Sequence, residues 1–383
     1  MKVVEWIKKI HNWVAARKNS DLKISKKKHL KILHSLPEPR DDLQRSYNQY
    51  KAQSRVSGRI YSFFVNIACW LPYCAMKKRM QNKQAVSYEA GVDAVFLSDG
   101  KPSNIIPDCL REEYVVILDE KDVAVEEYIT EKDTHFFKAV QKRYPGSWQF
   151  QFKTLLKMAR YRYLIDRYAP KALIVCNEYS FTSSILREFC QQNGVALINV
   201  MHGEKIFDIT DSFFHFDRCY VWSDFYKDLF IRLRAEATQF RIATPQSLCI
   251  QRMSVPIVDY TYYFGDERQS DMKKVYALLS ILKSKGHKIA VRPHPRYSDM
   301  RSVEAIFKDI EIENYKKTSI EQSLIRTKNV ISLMSTVLNQ AHHSNIPIII
   351  DDITRAKIYK KLEEVDYIML NVEHKKLSEL LVE

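Results

Sequence analysis

The sequence predicts an α/β protein with two parallel-sheet domains behind a basic helical N-terminal segment. From about Ala85 onward, short buried strand patterns alternate with helical patterns, which is typical of parallel sheets. The length of 383 residues suits two domains of ordinary size. The excess of basic residues is confined to the first part of the chain. We therefore expect an N-terminal segment at residues 1–84, a first α/β domain at 85–245 and a second at 246–383.

Composition argues against several classes of protein. Hydrophobic residues make up 46% and charged residues 28% of the chain, as in soluble globular proteins, and no apolar run reaches the length of a membrane span. The N-terminus lacks the apolar core of a secretory signal, and the seven cysteines are scattered without metal-binding spacing, which indicates reduced thiols in a cytosolic protein. The eight glycines form neither G-x-G-x-x-G nor a Walker loop, so side chains and helix N-termini must hold any phosphate.

The N-terminal segment accounts for the net charge of +14. Residues 1–83 contain 19 Lys and Arg against 5 Asp and Glu, whereas the other 300 residues contain 41 of each class. Residues 1–18 have an amphipathic helical pattern with two tryptophans, and residues 61–76 are strongly apolar and precede a basic triplet. Each pattern is typical either of a membrane interface or of a helix packed on its own domain. The polybasic arm favours peripheral contact with an anionic surface, and it carries no nucleic-acid motif.

The first α/β domain places polar residues directly after two predicted strands. Its predicted strands are residues 93–97, 114–118, 172–176, 196–201 and 219–222, with helices around residue 138, at 152–168 and at 182–192. Open α/β sheets bind ligands at the carboxyl ends of their strands. Glu178 is therefore a candidate general base, although a solvated turn glutamate explains it equally well. His202, Gly203 and Glu204 are candidate substrate-binding residues for the same reason.

The second domain contains the most informative stretch of the chain. After a linker at residues 239–252, strands are predicted at 255–264, 288–291, 330–333 and 346–350, with helices at 271–285, 319–327 and 337–343. The strand that begins at residue 288 runs into Arg292-Pro293-His294-Pro295-Arg296. Arginine offers a fork of donors for phosphate, and histidine can give or take a proton near neutral pH. A solvated basic loop is the alternative.

Ser335 and Thr336 follow the next strand of the second domain, at a predicted helix N-terminus. Free N–H groups and the helix dipole favour an anion there, and the two hydroxyls add donors. An ordinary helix cap explains the same residues if the pair stands alone. The pair comes one βα unit after the loop that contains Arg292 and His294. Together with that loop, it is a candidate phosphate clamp.

These motifs resemble those of known transferases. His294-Pro295 and Ser335-Thr336 resemble the paired HP and S-S/T motifs of bacterial CMP-sugar-dependent enzymes, the sialyltransferases and related Kdo transferases. The stretch from His202-Gly203 to Ser335-Thr336 is also similar to bacterial surface-polysaccharide and teichoic-acid transferases. The chain thus looks like a GT-B glycosyltransferase, over roughly residues 172–352. The resemblance implies two Rossmann-like domains that face a cleft.

The resemblance also implies roles for individual residues. His294 contacts the donor phosphate and assists departure of the nucleotide, Ser335 and Thr336 bind that phosphate, and Arg292 adds positive charge. Pro295 belongs to the same nucleotide-binding motif. A carboxylate of the first domain, for which Glu178 is the best candidate, deprotonates the acceptor hydroxyl. No metal ion and no other cofactor is expected.

The chain departs from the family pattern at two places. The acidic-acidic-Gly motif that carries the base in sialyltransferases is absent, and Asn177-Glu178-Tyr179 and Asp266-Glu267-Arg268 are the nearest substitutes. Many GT-B enzymes hold a ribose through a glutamate in the helix after the phosphate loop. Gln340 occupies about that position here, and this difference weakens the case for a UDP-sugar donor.

The preferred hypothesis is an inverting, metal-independent glycosyltransferase. It would use a nucleotide-sugar donor, with CMP-sialic acid or CMP-Kdo favoured, and a lipid-linked or surface glycan acceptor such as capsule, lipopolysaccharide or O-antigen. We expect it in the cytoplasm, peripherally associated with the inner membrane and without a nucleic-acid partner. The alternatives are a CDP-polyol phosphotransferase of surface polymer synthesis and a non-catalytic polyanion-binding scaffold.

Overall fold

The computed structural model describes residues 25–80, 91–119, 129–251 and 255–382, which form two compact units. The N-terminal unit consists of residues 26–202 and 207–245, and the C-terminal unit of residues 203–206 and 246–382. The amphipathic pattern at residues 1–18 lies outside the described residues. Within the described ranges, no helix is both long and apolar enough to cross a membrane.

The N-terminal unit is built on a six-stranded parallel sheet with the order β2-β1-β3-β4-β5-β6. Its strands are β1 (Ala94–Leu97), β2 (Val116–Asp119), β3 (Ala172–Val175), β4 (Ala196–Val200), β5 (Arg218–Val221) and β6 (Phe240–Ile242). Strands β1 and β3 are buried at every position, as expected where both faces of a parallel sheet are covered. Phe96, Ile174 and Ile198 lie in the hydrophobic core on this sheet.

Nine helices of the described residues belong to the N-terminal unit. They are α1 (Lys26–His34), α2 (Asp42–Ser57), α3 (Arg59–Ala68), α4 (Trp70–Met80), α5 (Asp108–Glu113), α6 (Glu131–Arg143), α7 (Trp148–Tyr168), α8 (Ser183–Gln191) and α9 (Asp224–Arg232). Helix α6 begins with a capping box in which Thr130 and Asp133 satisfy each other's backbone N–H groups. Asp133 also pairs with Arg162 at 2.6 Å, which ties α6 to the long helix α7.

Helices α1 to α4 pack within the N-terminal unit, although residues 1–84 were expected to form a separate basic segment. Leu33, Leu43 and Tyr50 are buried. The amide of Gln49 donates to the backbone carbonyls of Glu178 at 2.8 Å and Thr210 at 2.9 Å. The helical part of the segment is therefore held by apolar burial and by hydrogen bonds to loops of the first sheet.

The C-terminal unit contains a second parallel sheet, with the order β12-β11-β10-β7-β8-β9. Its strands are β7 (Val258–Tyr263), β8 (Ile289–Arg292), β9 (Glu311–Ile312), β10 (Thr327–Ser332), β11 (Ile348–Ile350) and β12 (Lys375–Lys376). Numbered within the unit and read from the β9 edge, the order is 3-2-1-4-5-6, which is that of the Rossmann fold. The strand order therefore reverses between β7 and β10.

The helices of the C-terminal unit are α10 (Gln269–Ser284), α11 (Met300–Ile306), α12 (Ile320–Arg326), α13 (Thr336–His343), α14 (Ala356–Glu364) and α15 (Leu377–Val382). Helix α10 directs Met272, Val275 and Leu279 into a core that also includes Val291 and Ile331 of the sheet. The spacing of three and four residues places these side chains on one face of the helix.

The prediction of two α/β units, each with a parallel sheet, is confirmed by these topologies. The expected strands are present, but the linker prediction for residues 239–252 is wrong at its start, where β6 adds an edge strand to the first sheet. Strands β9 and β12 were not expected. Each has two residues, which is too short for a period-two pattern to be visible.

Candidate functional site

The reversal of strand order in the C-terminal unit creates a ligand-binding edge. Gly265 follows β7 and Ser335 follows β10, so both lie at the switch point where open α/β sheets bind ligands. The loops that contain them are adjacent, because a Cβ placed on Gly265 would lie 3.7 Å from the carbonyl oxygen of Met334. The same Cβ would also lie 3.7 Å from Oε2 of Glu267, so the Gly265 loop packs closely against its neighbours beside the start of α13.

Helix α13 presents a capped N-terminus to this edge. Ser335 is the N-cap, and its Oγ accepts a hydrogen bond from the backbone N–H of Val337 at 3.3 Å. Thr336, the first helical residue, is exposed. The Ser335 hydroxyl still has its own hydrogen to donate, and the helix dipole favours an anion at this end. Capping and anion binding are therefore compatible at this serine.

His294 is held in a defined tautomer beyond the end of β8. Its Nδ1 accepts a hydrogen bond from the backbone N–H of Arg296 at 3.0 Å, which leaves the ring proton on Nε2. The ring stacks on Tyr297 with centroids 4.4 Å apart. Burial, followed by the charge of Arg296, lowers the pKa of His294, while Asp266 acts in the opposite direction. A neutral imidazole with an Nε2–H donor results, and the neighbouring Pro295 is exposed.

Arg292 is engaged in a buried ion pair in this geometry, and the expectation that it adds charge at the phosphate stays a prediction. The residue is the last of β8 and only 8% exposed. Its guanidinium pairs with the buried Glu313 at 3.1 Å and donates to the carbonyl of Thr318 at 2.9 Å. Ser323 and Arg326 also contact the Glu313 carboxylate. The side chain thus ties β8 to the segment after β9.

Glu267, which belongs to one of the two nearest substitutes for the missing acidic motif, is buried against the Gly265 loop. Its Oε2 accepts a hydrogen bond from the backbone N–H of Gly265 at 2.6 Å. Burial raises the pKa of Glu267 to about 7, although the backbone hydrogen bonds favour the charged form. Asp266 faces the other way and pairs with Arg355 at 2.6 Å. Glu267 therefore holds the backbone of the Gly265 loop through this hydrogen bond.

Gln340 and Glu204 are engaged within the C-terminal unit. The amide of Gln340 donates to the carbonyl of Ser247 at 2.9 Å, which holds the chain before β7 against α13. Glu204 accepts hydrogen bonds from Asn339 at 2.6 Å and from Tyr367 at 3.2 Å. Burial raises the pKa of Glu204 to about 8, against the effect of these two donors. A Cβ placed on Gly203 would meet no atom within 4 Å beyond its chain neighbours.

The N-terminal unit pairs a buried carboxylate with a histidine at its own sheet edge. Glu178 follows β3, which lies beside β1 where the strand order of this sheet reverses. Its side chain is 0% exposed, and its Oε1 lies 3.4 Å from Nδ1 of His202, whose side chain is 24% exposed. The His202 ring also contacts Tyr179 edge-on, at 6.3 Å between centroids. The carboxylate is thus behind the imidazole and the imidazole faces outward.

Sequence reasoning missed the residues that fix this pair. Asn199 of β4 accepts a hydrogen bond from the backbone N–H of Asn177 at 2.7 Å, and Gln49 of α2 holds the carbonyl of Glu178. No local sequence pattern marks either residue. The link between Gln49 and Glu178 spans 129 residues, so it is visible only in the folded chain. Across the described ranges, no group of three or more His, Cys, Asp and Glu side chains is arranged to hold a metal ion.

Comparisons with known proteins find likeness in structure alone. No family model and no curated protein matches the sequence. Similar solved structures include UDP-GlcNAc 2-epimerase from Methanocaldococcus jannaschii in complex with UDP-GlcNAc and UDP, at 13% identity and a TM-score of 0.39 over 74% of this chain and 94% of that one. A TagF wall teichoic acid polymerase variant soaked with CDPG is 8% identical, with a TM-score of 0.45 and coverages of 84% and 87%. The lipopolysaccharide outer core galactosyltransferase WaaB in its apo form is 9% identical, with a TM-score of 0.40 and coverages of 76% and 93%.

Proposed function

We propose that the protein is a metal-independent glycosyltransferase that moves a sugar from a nucleotide donor onto a bacterial surface glycan. The observation that carries this proposal is the switch point of the C-terminal unit, where the Gly265 loop lies beside the residues that lead into the capped N-terminus of α13. A Rossmann-order sheet with an anion-favouring helix end at this place suits a nucleotide phosphate. A CMP-sugar, with sialic acid or Kdo as the sugar, is the favoured donor.

Negative charge develops on the leaving nucleotide as its bond to the sugar breaks. In this proposal, hydrogen-bond donors stabilise that charge without a metal ion. Strand β7 lies between β8 and β10, so the ends of those two strands are about 10 Å apart. Donors from both sides can therefore converge on one phosphate above Gly265. In this proposal the Nε2–H of His294 and the hydroxyls of Ser335 and Thr336 bind the phosphate as the bond to the sugar breaks.

The acceptor hydroxyl must lose its proton as its oxygen attacks the anomeric carbon. We assign the proton transfer to His202, because Glu178 lies fully buried behind it and cannot itself contact an acceptor. The hydroxyl proton passes to the imidazole, the new carbon–oxygen bond forms with inversion, and the nucleotide phosphate leaves with the electron pair. Glu178 then stabilises the imidazolium, as in other carboxylate–histidine pairs.

The acceptor in this proposal is a lipid-linked or surface glycan, and the protein works peripherally at the inner face of the membrane. The balance of charge supports this location, since the basic excess is confined to residues 1–83. A segment of this kind is attracted to anionic headgroups by about 1 kcal/mol per basic residue near the surface.

Nucleotide binding tests the proposal most directly. Calorimetric titration of the full chain with CMP, CDP, UDP and GDP should show preference for CMP, and His294→Ala should weaken it about tenfold or more. His287→Ala is a matched control, because His287 precedes the same strand β8 at its opposite end. Preference for UDP or GDP would rule out a CMP-sugar as the donor. Absence of binding to all four nucleotides would overturn the transferase hypothesis and leave the hypothesis of a polyanion-binding scaffold.

A CDP-polyol phosphotransferase is the second candidate, and the pair of histidines after strands favours it. His202 and His294 would then serve transfer of a polyol phosphate, with attack at phosphorus instead of carbon. Both reactions release CMP, so nucleotide binding alone does not separate them. Incubation with CDP-glycerol and with CMP-sialic acid in turn, followed by measurement of CMP release, distinguishes the two.

A further inference from the structure

Helices α3 and α4 expose a continuous apolar surface. Ile60, Phe63, Phe64 and Leu71 are 77%, 60%, 64% and 68% exposed, and Ile67 and Trp70 are also exposed. Their spacing of three, four and seven residues places them on one side of two nearly continuous helices. We call these six residues the apolar helix surface. Such a patch exceeds the scattered apolar residues of an ordinary protein surface.

The orientation of these helices is fixed by their polar side chains, which point into the protein. The Oγ of Ser62 donates to the carbonyl of Ser54 at 2.8 Å. Asn66 donates to the carbonyl of Gly146 at 2.8 Å and accepts from the backbone N–H of Gln149 at 3.0 Å. The usual arrangement of an amphipathic surface helix is thus inverted, because its polar residues pack inward and its apolar residues face outward.

The charged residues of α3 and α4 themselves are all basic. Arg59 stands at its beginning, and Lys77 and Lys78 follow it at the end of α4. No Asp or Glu occurs between Arg59 and Met80. Aromatic and aliphatic side chains between basic ends match the interface of a bilayer, where the apolar groups enter the acyl boundary and the cations meet anionic headgroups.

We propose that the apolar helix surface docks the protein on an anionic lipid bilayer, with α3 and α4 lying in the plane of the membrane. A second copy of the chain is a poorer occupant, because both ends of the surface are basic. Any two-fold contact would bring like charges together, whether the facing helices run parallel or antiparallel. The inference does not depend on the transferase activity, and vesicle binding measures it without any substrate.

The test uses the full chain and sedimentation with vesicles that contain phosphatidylglycerol, compared with vesicles of phosphatidylcholine alone. Phe63→Ser with Phe64→Ser should lower the partition coefficient on anionic vesicles more than tenfold. The matched control is Val115→Ser with Ile242→Ser, which changes two exposed apolar residues elsewhere in the same unit. The control should bind as the unchanged protein does, and circular dichroism confirms that each variant is folded.

Two results would overturn the proposal. The first is unchanged binding of the Phe63 and Phe64 variant, which would assign membrane contact to another part of the chain. The second is a dimer, measured by light scattering, that dissociates on these substitutions. Independent support comes from Trp70, whose fluorescence should shift to shorter wavelength on anionic vesicles, with the shift reduced by Trp70→Phe.

Discussion

Replacing Arg292 with methionine separates a structural role from a role in nucleotide binding. The substitution keeps a long apolar stem in β8 but removes the partner of Glu313, which is 2% exposed. Breaking a buried ion pair from one side costs about 3 to 5 kcal/mol, because the remaining charge stays buried. Glu313 keeps its contacts with Ser323 and Arg326, so we expect a loss near the lower limit, about 3 kcal/mol.

Urea unfolding followed by circular dichroism measures this loss, and calorimetry measures CMP binding to the folded variant. The second substitution, Glu313→Gln in the Arg292→Met background, removes the unpaired charge and keeps an acceptor for Ser323. We expect it to restore much of the lost stability. Affinity for CMP should stay within about twofold in both variants, because the Arg292 guanidinium is occupied by Glu313 and by the carbonyl of Thr318.

The opposite pattern would refute this reasoning. If Arg292→Met unfolds at nearly the same urea concentration as the unchanged protein while CMP binding falls tenfold, the arginine contacts the donor and the network around Glu313 is secondary. Arg292→Lys adds a check, since a lysine keeps the charge but loses the fork that reaches two acceptors.

Three further predictions concern the proposed sites. Native Glu267 holds its proton more tightly than the unfolded chain does, so stability should fall as the pH rises from 4.5 to about 7, by about 3 kcal/mol. Glu267→Gln should abolish this part of the pH dependence in urea titrations. His202→Ala should lower kcat about 100-fold or more and Glu178→Gln about tenfold, with CMP affinity unchanged. Ser335→Ala should cost about 1 kcal/mol through the lost cap, whereas Ser335→Asp should keep the cap and abolish CMP binding by charge repulsion.

Each of these predictions has a contradicting result. An equal pH dependence in the Glu267 variant would assign that titration to another carboxyl group, with Glu204→Gln as the next variant to test. Full activity of His202→Ala would remove the histidine from the proton transfer. Normal CMP binding by Ser335→Asp would show that the start of α13 is capped but does not bind the phosphate.

The alternation of strands and helices was visible in the sequence, but the pairing of strands was not. Buried runs such as Ala172–Val175 are recognisable because every position is apolar. The positions of the two strand-order reversals depend on which strands pair, and that is set by contacts between distant residues. Strand β6 has three residues, of which only Phe240 is buried, so no continuous apolar run distinguishes it from a linker in the sequence.

Hydrophobicity alone does not tell which side of a helix faces the protein. The apolar stretch at residues 61–76 was compatible with a buried helix and with an exposed one. The decisive residues are Ser62 and Asn66, whose inward hydrogen bonds need partners at Ser54 and Gly146. A polar residue that packs inward is recognised only when its partner is known. The same limit applies to Arg292, whose burial depends on Glu313, 21 residues later.

Burial also decides how the proposed proton transfer is shared between Glu178 and His202. A base must come within hydrogen-bond reach of the hydroxyl it activates, and a carboxylate with 0% exposure does not. The neighbouring imidazole is 24% exposed, so an acceptor hydroxyl can reach it, and the carboxylate lies behind it. A solvated turn glutamate, which the sequence allowed equally well, would have neither a fixed position nor a histidine to stabilise. The burial of Glu178 thus favours a positioning role for the carboxylate and, under the proposed function, makes His202 the residue that contacts the acceptor.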